Sequence, residues 1–301
     1  MQTKTIKKVI IKKMNSWLES ITDKDLSKRV KENLLVSGGS IASMFLKEDV
    51  NDYDIYIQDM DVLRDLAEYY CSDKVLDGRF KEKYLSERFP EIVANNGMIY
   101  DEGVLKECLS EHYVRINNLK PDQVKLDISG AGEKLEVSED DKDNYLVVFL
   151  SQNAISLSND VQIVLRFNGT VDQVHKTFDF MHATNYFTFK DGLVLNQEAL
   201  ESLLTKDLKY QGSLYPLTSI IRMKKFILRG WSINAGEILK IMFQISELDL
   251  KNIKVLEEQL IGVDVAYFSA LIEILRGVSP EDLTASFINS QIDKVFNYFE
   301  E

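Results

Sequence analysis

Cysteine is scarce in this chain of 301 residues: Cys71 and Cys108 are the only two, and they form no C-x-x-C pair. That excludes a disulfide framework and a cysteine-built zinc site, and it points to a reducing, cytoplasmic setting. Histidine is as sparse. His112, His175 and His182 stand too far apart to suggest a metal cluster. No apolar run approaches the roughly 20 residues that span a bilayer, so no membrane partner is expected. The opening M-Q-T-K-T-I-K-K is basic but leads into no hydrophobic core, so a secretory signal is not expected. Net positive charge is also missing. Lys and Arg number 36 against 48 Asp and Glu, a net charge of −12. Phosphate backbones reward a basic footprint, so a general nucleic-acid binder is excluded, although Lys206–Lys240 is locally basic. Internal repeats, low-complexity tracts and a Walker-type phosphate loop are absent too.

What remains suits one large or two ordinary domains with a substantial core, since 45% of residues are hydrophobic. Ile6, Val9, Ile10, Trp17 and Leu18 recur at helical spacing with lysines between them, predicting a helix over 3–20. A second helix is expected over about 23–33. The pattern then reads strand over 34–37, helix over 40–47, strand over 53–58 and helix over 60–72. The charged segment 75–112 reads as helical, interrupted at Pro90 and Gly97. Short β-like runs follow at Tyr113–Ile116, Val124–Ile128, Leu135–Val137 and Tyr145–Leu150, with an acidic turn at 138–144. Val161–Phe167 reads as a core strand. Thr170 is placed to cap a short helix over 171–177. Phe178–Phe189 and Leu193–Leu195 read as a hairpin turning at Asp191-Gly192. From about 196 the periodicity is helical to the end. The expected architecture is α+β: a head over 1–195 with a small mixed sheet and flanking helices, then an all-helical domain over 196–301. Residues 60–160 look like an insertion in the head.

The chemistry concentrates in Val36–Tyr56, V-S-G-G-S-I-A-S-M-F-L-K-E-D-V-N-D-Y-D-I-Y. Residues two apart on a strand project the same way, so Asp52 and Asp54 are expected to point together. Paired carboxylates repel unless a cation neutralises them, and Mg²⁺ or Mn²⁺ prefers such oxygen ligands. Gly38 and Gly39 allow a backbone to approach a phosphate closely. Ser40 adds a hydroxyl near a helix N-terminus. A phosphate cradle beside metal-holding carboxylates equips a protein for nucleotidyl transfer.

This segment resembles the polymerase-β-type nucleotidyltransferase superfamily, whose signature is a glycine-serine pair followed by D-x-D. The spacing from Gly38 to Asp52 is closest to the class II poly(A) polymerase and CCA-adding branch. There an Arg-Asp pair stands where this chain has Ala42 and Ser43. Two later blocks extend the resemblance. T-F-D-F-M-H-A around Asp179 matches the D-F core of a block whose Asp orients ribose and nucleotide. P-L-T-S-I-I-R-M-K-K-F-I-L-R-G-W from Pro216 resembles the neck helix, with Arg222, Lys225, Phe226 and Arg229 on one face. The chain as a whole looks like the nucleotidyltransferases of tailed bacteriophages.

The resemblance implies that Gly38, Gly39 and Ser40 hold the β- and γ-phosphates of a nucleoside triphosphate. Asp52 and Asp54 hold Mg²⁺ or Mn²⁺. Asp179, Arg222, Lys225 and Arg229 position sugar, base or phosphates. The acceptor is a hydroxyl on RNA, a protein or a small molecule. The superfamily places a third carboxylate on a later strand, and its counterpart here is Gln162, an amide without charge. Asp127 or Asp179 are the alternative occupants. Two readings therefore stand: a metal-dependent nucleotidyltransferase, or a non-catalytic nucleotide-binding or interaction protein that retains the fold. The intact D-x-D favours the first and Gln162 the second.

Overall fold

A computed structural model describes residues 2–71, 75, 115–117, 125–127, 137–151, 153–250, 252–259, 271–272, 274–279 and 282–299. The segment 76–112 and the run Leu135–Val137, except Val137 itself, lie outside the described residues. The chain divides into two units. The first comprises residues 1–175 and 182–203, the second 176–181 and 204–301.

The first unit begins with α1 (Thr3–Ser20), whose Ile6, Ile10, Met14, Trp17 and Leu18 are all buried. Each such side chain contributes roughly 1.5–3 kcal/mol on leaving water. Asp23 caps α2 (Lys24–Asn33) by accepting from the Leu26 amide at 2.9 Å. Then come β1 (Leu34–Ser37), α3 (Gly39–Leu46), β2 (Tyr53–Ile57) and α4 (Met60–Cys71). The short strands β3 (Arg115–Asn117) and β4 (Lys125–Asp127) form a ladder of their own. A 3-10 helix occupies Glu139–Asn144, where a simple acidic turn was expected. Next are β5 (Val147–Ser151), β6 (Ala154–Leu157), β7 (Val161–Val164) and α5 (Val171–His175). The hairpin of β8 (Tyr186–Thr188) and β9 (Gly192–Val194) turns through Asp191.

The main sheet is seven-stranded, in the order β5-β6-β7-β2-β1-β8-β9. Only β2 and β7 run parallel; every other neighbouring pair is antiparallel. α4, β5 and β6, all within 60–160, contribute to this sheet and its core. One sheet face carries Leu34, Val36, Ile55, Ile57, Ile163 and Phe187, packed in one core with side chains of α1 and α4. Trp17 is fully buried there and donates its indole N–H to the Tyr70 hydroxyl at 2.8 Å. Cross-strand partners share a face, so Leu35, Ser37, Tyr56, Asp54 and Gln162 belong to the other face.

Two strands are shorter than the sequence pattern suggests. β7 ends at Val164 instead of Phe167; one further amide, that of Leu165, still donates to the Asn153 carbonyl in the register of β6. The alternation F-D-F at 178–180 mimics a strand, yet it does not join the hairpin. Its backbone is satisfied elsewhere in the second unit: Met181 donates to the Lys209 carbonyl and Gln211 to that of Asp179.

Among the described residues the second unit holds helices, connecting segments and isolated bridges. After α6 (Gln197–Thr205) come α7 (Pro216–Leu228), α8 (Ala235–Ser246), α9 (Ile253–Gln259) and α10 (Ala285–Phe299). Pro216 starts α7, where its missing N–H costs nothing. Asn234 caps α8 through the Glu237 amide. Phe180, Tyr210, Phe226 and Trp231 pack edge to face in series. Leu256, Leu271, Leu275 and Leu283 form a further small core. Among the described residues no helix is long and apolar enough to cross a membrane. The architecture is α+β.

Candidate active site

β1 delivers the chain to a sharp turn at Gly38. Its φ of 98° lies in the left-handed region that glycine adopts without strain. A Cβ built on Gly38 would lie 3.2 Å from Oδ2 of Asp54, so a side chain there would press on the carboxylate. Gly38 donates its amide to the Ala183 carbonyl at 3.0 Å, which ties the turn to the segment before β8. Gly39 is exposed and a Cβ on it would meet nothing within 4 Å. Ser40, in the first turn of α3, is 2% exposed, and its hydroxyl finds no hydrogen-bond partner among the described residues. No side chain caps α3.

Asp52 is exposed just before β2, and Asp54 is half-buried on it. Asp54 pairs in register with Gln162 on the parallel neighbour β7. The Gln162 amide donates to Asp54 Oδ1 at 3.4 Å, and its carbonyl accepts from Ser156 at 3.4 Å. Gln162 therefore stands beside the D-x-D pair, where the resemblance places a third acid. Asp127 sits on the separate β3–β4 ladder, opposite Arg115. Among the described residues no group of three His, Cys, Asp or Glu is assembled for a metal. Asp52 and Asp54 supply carboxylate oxygens two residues apart, the first exposed and the second half-buried. Carboxylates of this kind fit Mg²⁺, which is commonly held by one or two of them plus waters and substrate phosphates.

The other expected site residues belong to the second unit. Asp179 is buried, and Arg222 on α7 donates to its Oδ2 at 2.8 Å. Lys225 is exposed. Arg229 caps the end of α7 and lies over the Phe226 ring, 5.8 Å from its centroid.

One contact beside the turn escaped the sequence reading. Ser37, the last residue of β1, is fully buried with its Oγ 2.9 Å from Nε2 of His175. Burial lowers the His175 pKa to about 4, against a smaller opposing effect of Asp172. Ser37 Oγ also lies 3.0 Å from the Asn185 carbonyl. A serine closing an otherwise apolar strand next to the glycine pair was the available signal.

The sequence of residues 8–206 matches the family model of Gad2, Gabija anti-defense 2 family protein. The chain belongs to the Gad2 family. The match covers the glycine turn, the D-x-D pair and Asp179. No curated protein matches this Gad2-family chain. Among solved structures it is similar to the CCA-adding enzyme of Bacillus stearothermophilus in complex with CTP. That match has 9% identity and a TM-score of 0.35, and covers 86% of this chain and 51% of the enzyme. It is also similar to the Thermotoga maritima CCA-adding enzyme complexed with tRNA, at 13% identity and a TM-score of 0.37. There 91% of this chain and 55% of the enzyme are covered. The Gad2-family chain thus spans about half the length of these enzymes, and likeness at this level says nothing of its substrate.

Proposed function

We propose that this Gad2-family protein is a metal-dependent nucleotidyltransferase, passing a nucleoside monophosphate from a nucleoside triphosphate to a hydroxyl acceptor. The observation that carries the reading is the approach of the Asp54 carboxylate to Gly38, which sets a carboxylate against a phosphate-ready turn. In this reading the amides of Gly39 and Ser40 and the Ser40 hydroxyl bind phosphate oxygens. Asp52 and Asp54 hold Mg²⁺ or Mn²⁺. Bound there, the cation supplies positive charge against the negative charge that builds on the transferred phosphoryl group. Asp179 and Arg222 act as a fixed pair, with Lys225 and Arg229 as further exposed cations of that helix. Modifying a component of the Gabija defence, or a small molecule it depends on, would give the transfer its purpose.

The test is transfer of label from α-labelled nucleotides, with Mg²⁺ or Mn²⁺, to RNA, protein or small-molecule acceptors. Product is expected with the native chain and none with the Asp52→Asn/Asp54→Asn double variant. Equal product from both would sink the assignment. One observation favours the second reading, a nucleotide-binding protein without catalysis: the neutral Gln162 amide lies against Asp54. Nucleotide binding that needs Asp54, with no product from any acceptor, would select it.

A further inference from the structure

The first unit contains a cavity of about 440 Å³ that the site above does not use. Its polar walls are Gln58, Asp172, His175, Thr184, Tyr186 and Asn196. Val171 and Val194 add an apolar flank. The size lies within the range of small-molecule pockets, about 300–1,000 Å³.

The cavity adjoins the candidate active site through one hydrogen bond. His175 lines it and also meets Ser37, the residue before Gly38. Tyr186 is the register partner of Ser37 on β8, and Val36 pairs with Ile55 on β2. Ser37, Tyr186 and Asp54 therefore share one face of the sheet. The side chains select a ligand class. No Lys or Arg is among the described lining residues, and Asp172 supplies a carboxylate. Phosphate or carboxylate ligands are thereby disfavoured, and hydrogen-bond donors are favoured. The imidazole stays neutral near pH 7 and adds no positive charge. His175 and Tyr186 meet edge to face with centroids 5.8 Å apart, a rigid wall for a flat ring.

We propose that this cavity is the acceptor site and takes an uncharged ring bearing vicinal hydroxyls, a ribonucleoside or a free sugar. Only the word acceptor rests on the transferase reading. In the transfer, a ligand hydroxyl oxygen bonds to the α-phosphorus. The bond from that phosphorus to its bridging oxygen breaks, pyrophosphate leaves with the electron pair, and the hydroxyl proton passes to water.

Saturation-transfer NMR on the full chain tests it with adenosine, 2′,3′-dideoxyadenosine, ribose, glucose and AMP. Saturable binding of adenosine or of a sugar is expected. The dideoxynucleoside and AMP should bind several-fold more weakly than adenosine, and whether ribose and glucose compete tells a nucleoside site from a sugar site. Tyr186→Ala should lose binding. Asp172→Asn, a change at an exposed residue that spares the fold, should weaken diol binding and narrow the gap to AMP. The Asp52→Asn/Asp54→Asn variant should bind as the native chain does. No saturable binding of any probe, AMP binding tighter than adenosine, or binding unchanged in both cavity variants would each overturn the site. Binding without transfer by the native chain would instead remove the transferase reading and leave the cavity a ligand site.

Discussion

At residue scale, Gln162 offers the sharpest test of the site. It is register partner and hydrogen-bond neighbour of Asp54. Gln162→Glu would set a second carboxylate against the first. Without a cation the like charges should cost about 1–2 kcal/mol, as expected for a close, partly solvated pair. Millimolar Mg²⁺ should restore that loss, and thermal melts with and without Mg²⁺ would check it. A melt indifferent to Mg²⁺ would argue against a cation at Asp54. The Asp179–Arg222 pair calls for a different reading of its helix face. Arg222→Ala leaves a buried carboxylate without its cation, and about 1–2 kcal/mol of stability should go with it, since Arg222 is partly exposed. Lys225→Ala and Arg229→Ala change exposed side chains and should move stability by less than about 0.5 kcal/mol. If these two serve substrate binding, their effect appears in KM for nucleotide or acceptor. Unchanged KM in both would confine the helix end to a structural role.

At the scale of elements, the turn from β1 into α3 separates two glycines that look alike in sequence. Gly38→Ala should destabilise by about 1–2 kcal/mol from left-handed strain and displace the Asp54 carboxylate. Gly39→Ala has room and should fold normally. A loss of nucleotide affinity in Gly39→Ala at unchanged melting temperature would mark the close approach of a phosphate. The contact of α5 with β1 sets a pH dependence. His175 has a folded pKa of about 4, below its ordinary 6.5. Protonation therefore favours the unfolded chain. Stability should be full above about pH 6.5, fall as pH drops from there, and level off below about 4. His175→Gln should flatten that slope in denaturant melts between pH 7.5 and 4.5. Much of this region was legible in the chain. Residues 34–57 run from a short apolar strand through a glycine turn and an apolar helix to a second short strand, and local pattern decides such elements. The placing of Asp54 on a strand and of Gln162 on a later one could be read for the same reason. The F-D-F run at 178–180 could not, because a strand pattern says nothing of which partner satisfies its backbone. The seven-strand order and the Ser37–His175 contact join residues far apart in sequence, and only tertiary pairing fixes them.

At the scale of the molecule, nucleotide binding should register as stability. A nucleoside triphosphate with Mg²⁺ at 100 times its Kd should add about 2.7 kcal/mol to the unit that binds it. The Asp52→Asn/Asp54→Asn variant should show little of this gain, and an equal gain in both proteins would separate nucleotide binding from the D-x-D pair. The order of the chain through the two units carries a last consequence. It enters the second unit for six residues, 176–181, returns for β8 and β9, and leaves again after Leu203. Neither unit is a continuous stretch of gene. A single stop codon or protease cut near 203 releases the sheet unit only with a strap of the second unit, 176–181, still attached. A product ending near 203 would carry Phe178 and Phe180 without the Lys209–Gln211 backbone that holds them, as two bare aromatic rings on a strap. Shortened versions of this protein should therefore be sticky and short-lived, and lineages that shed the helical part should have had to rewrite residues 176–181 as well.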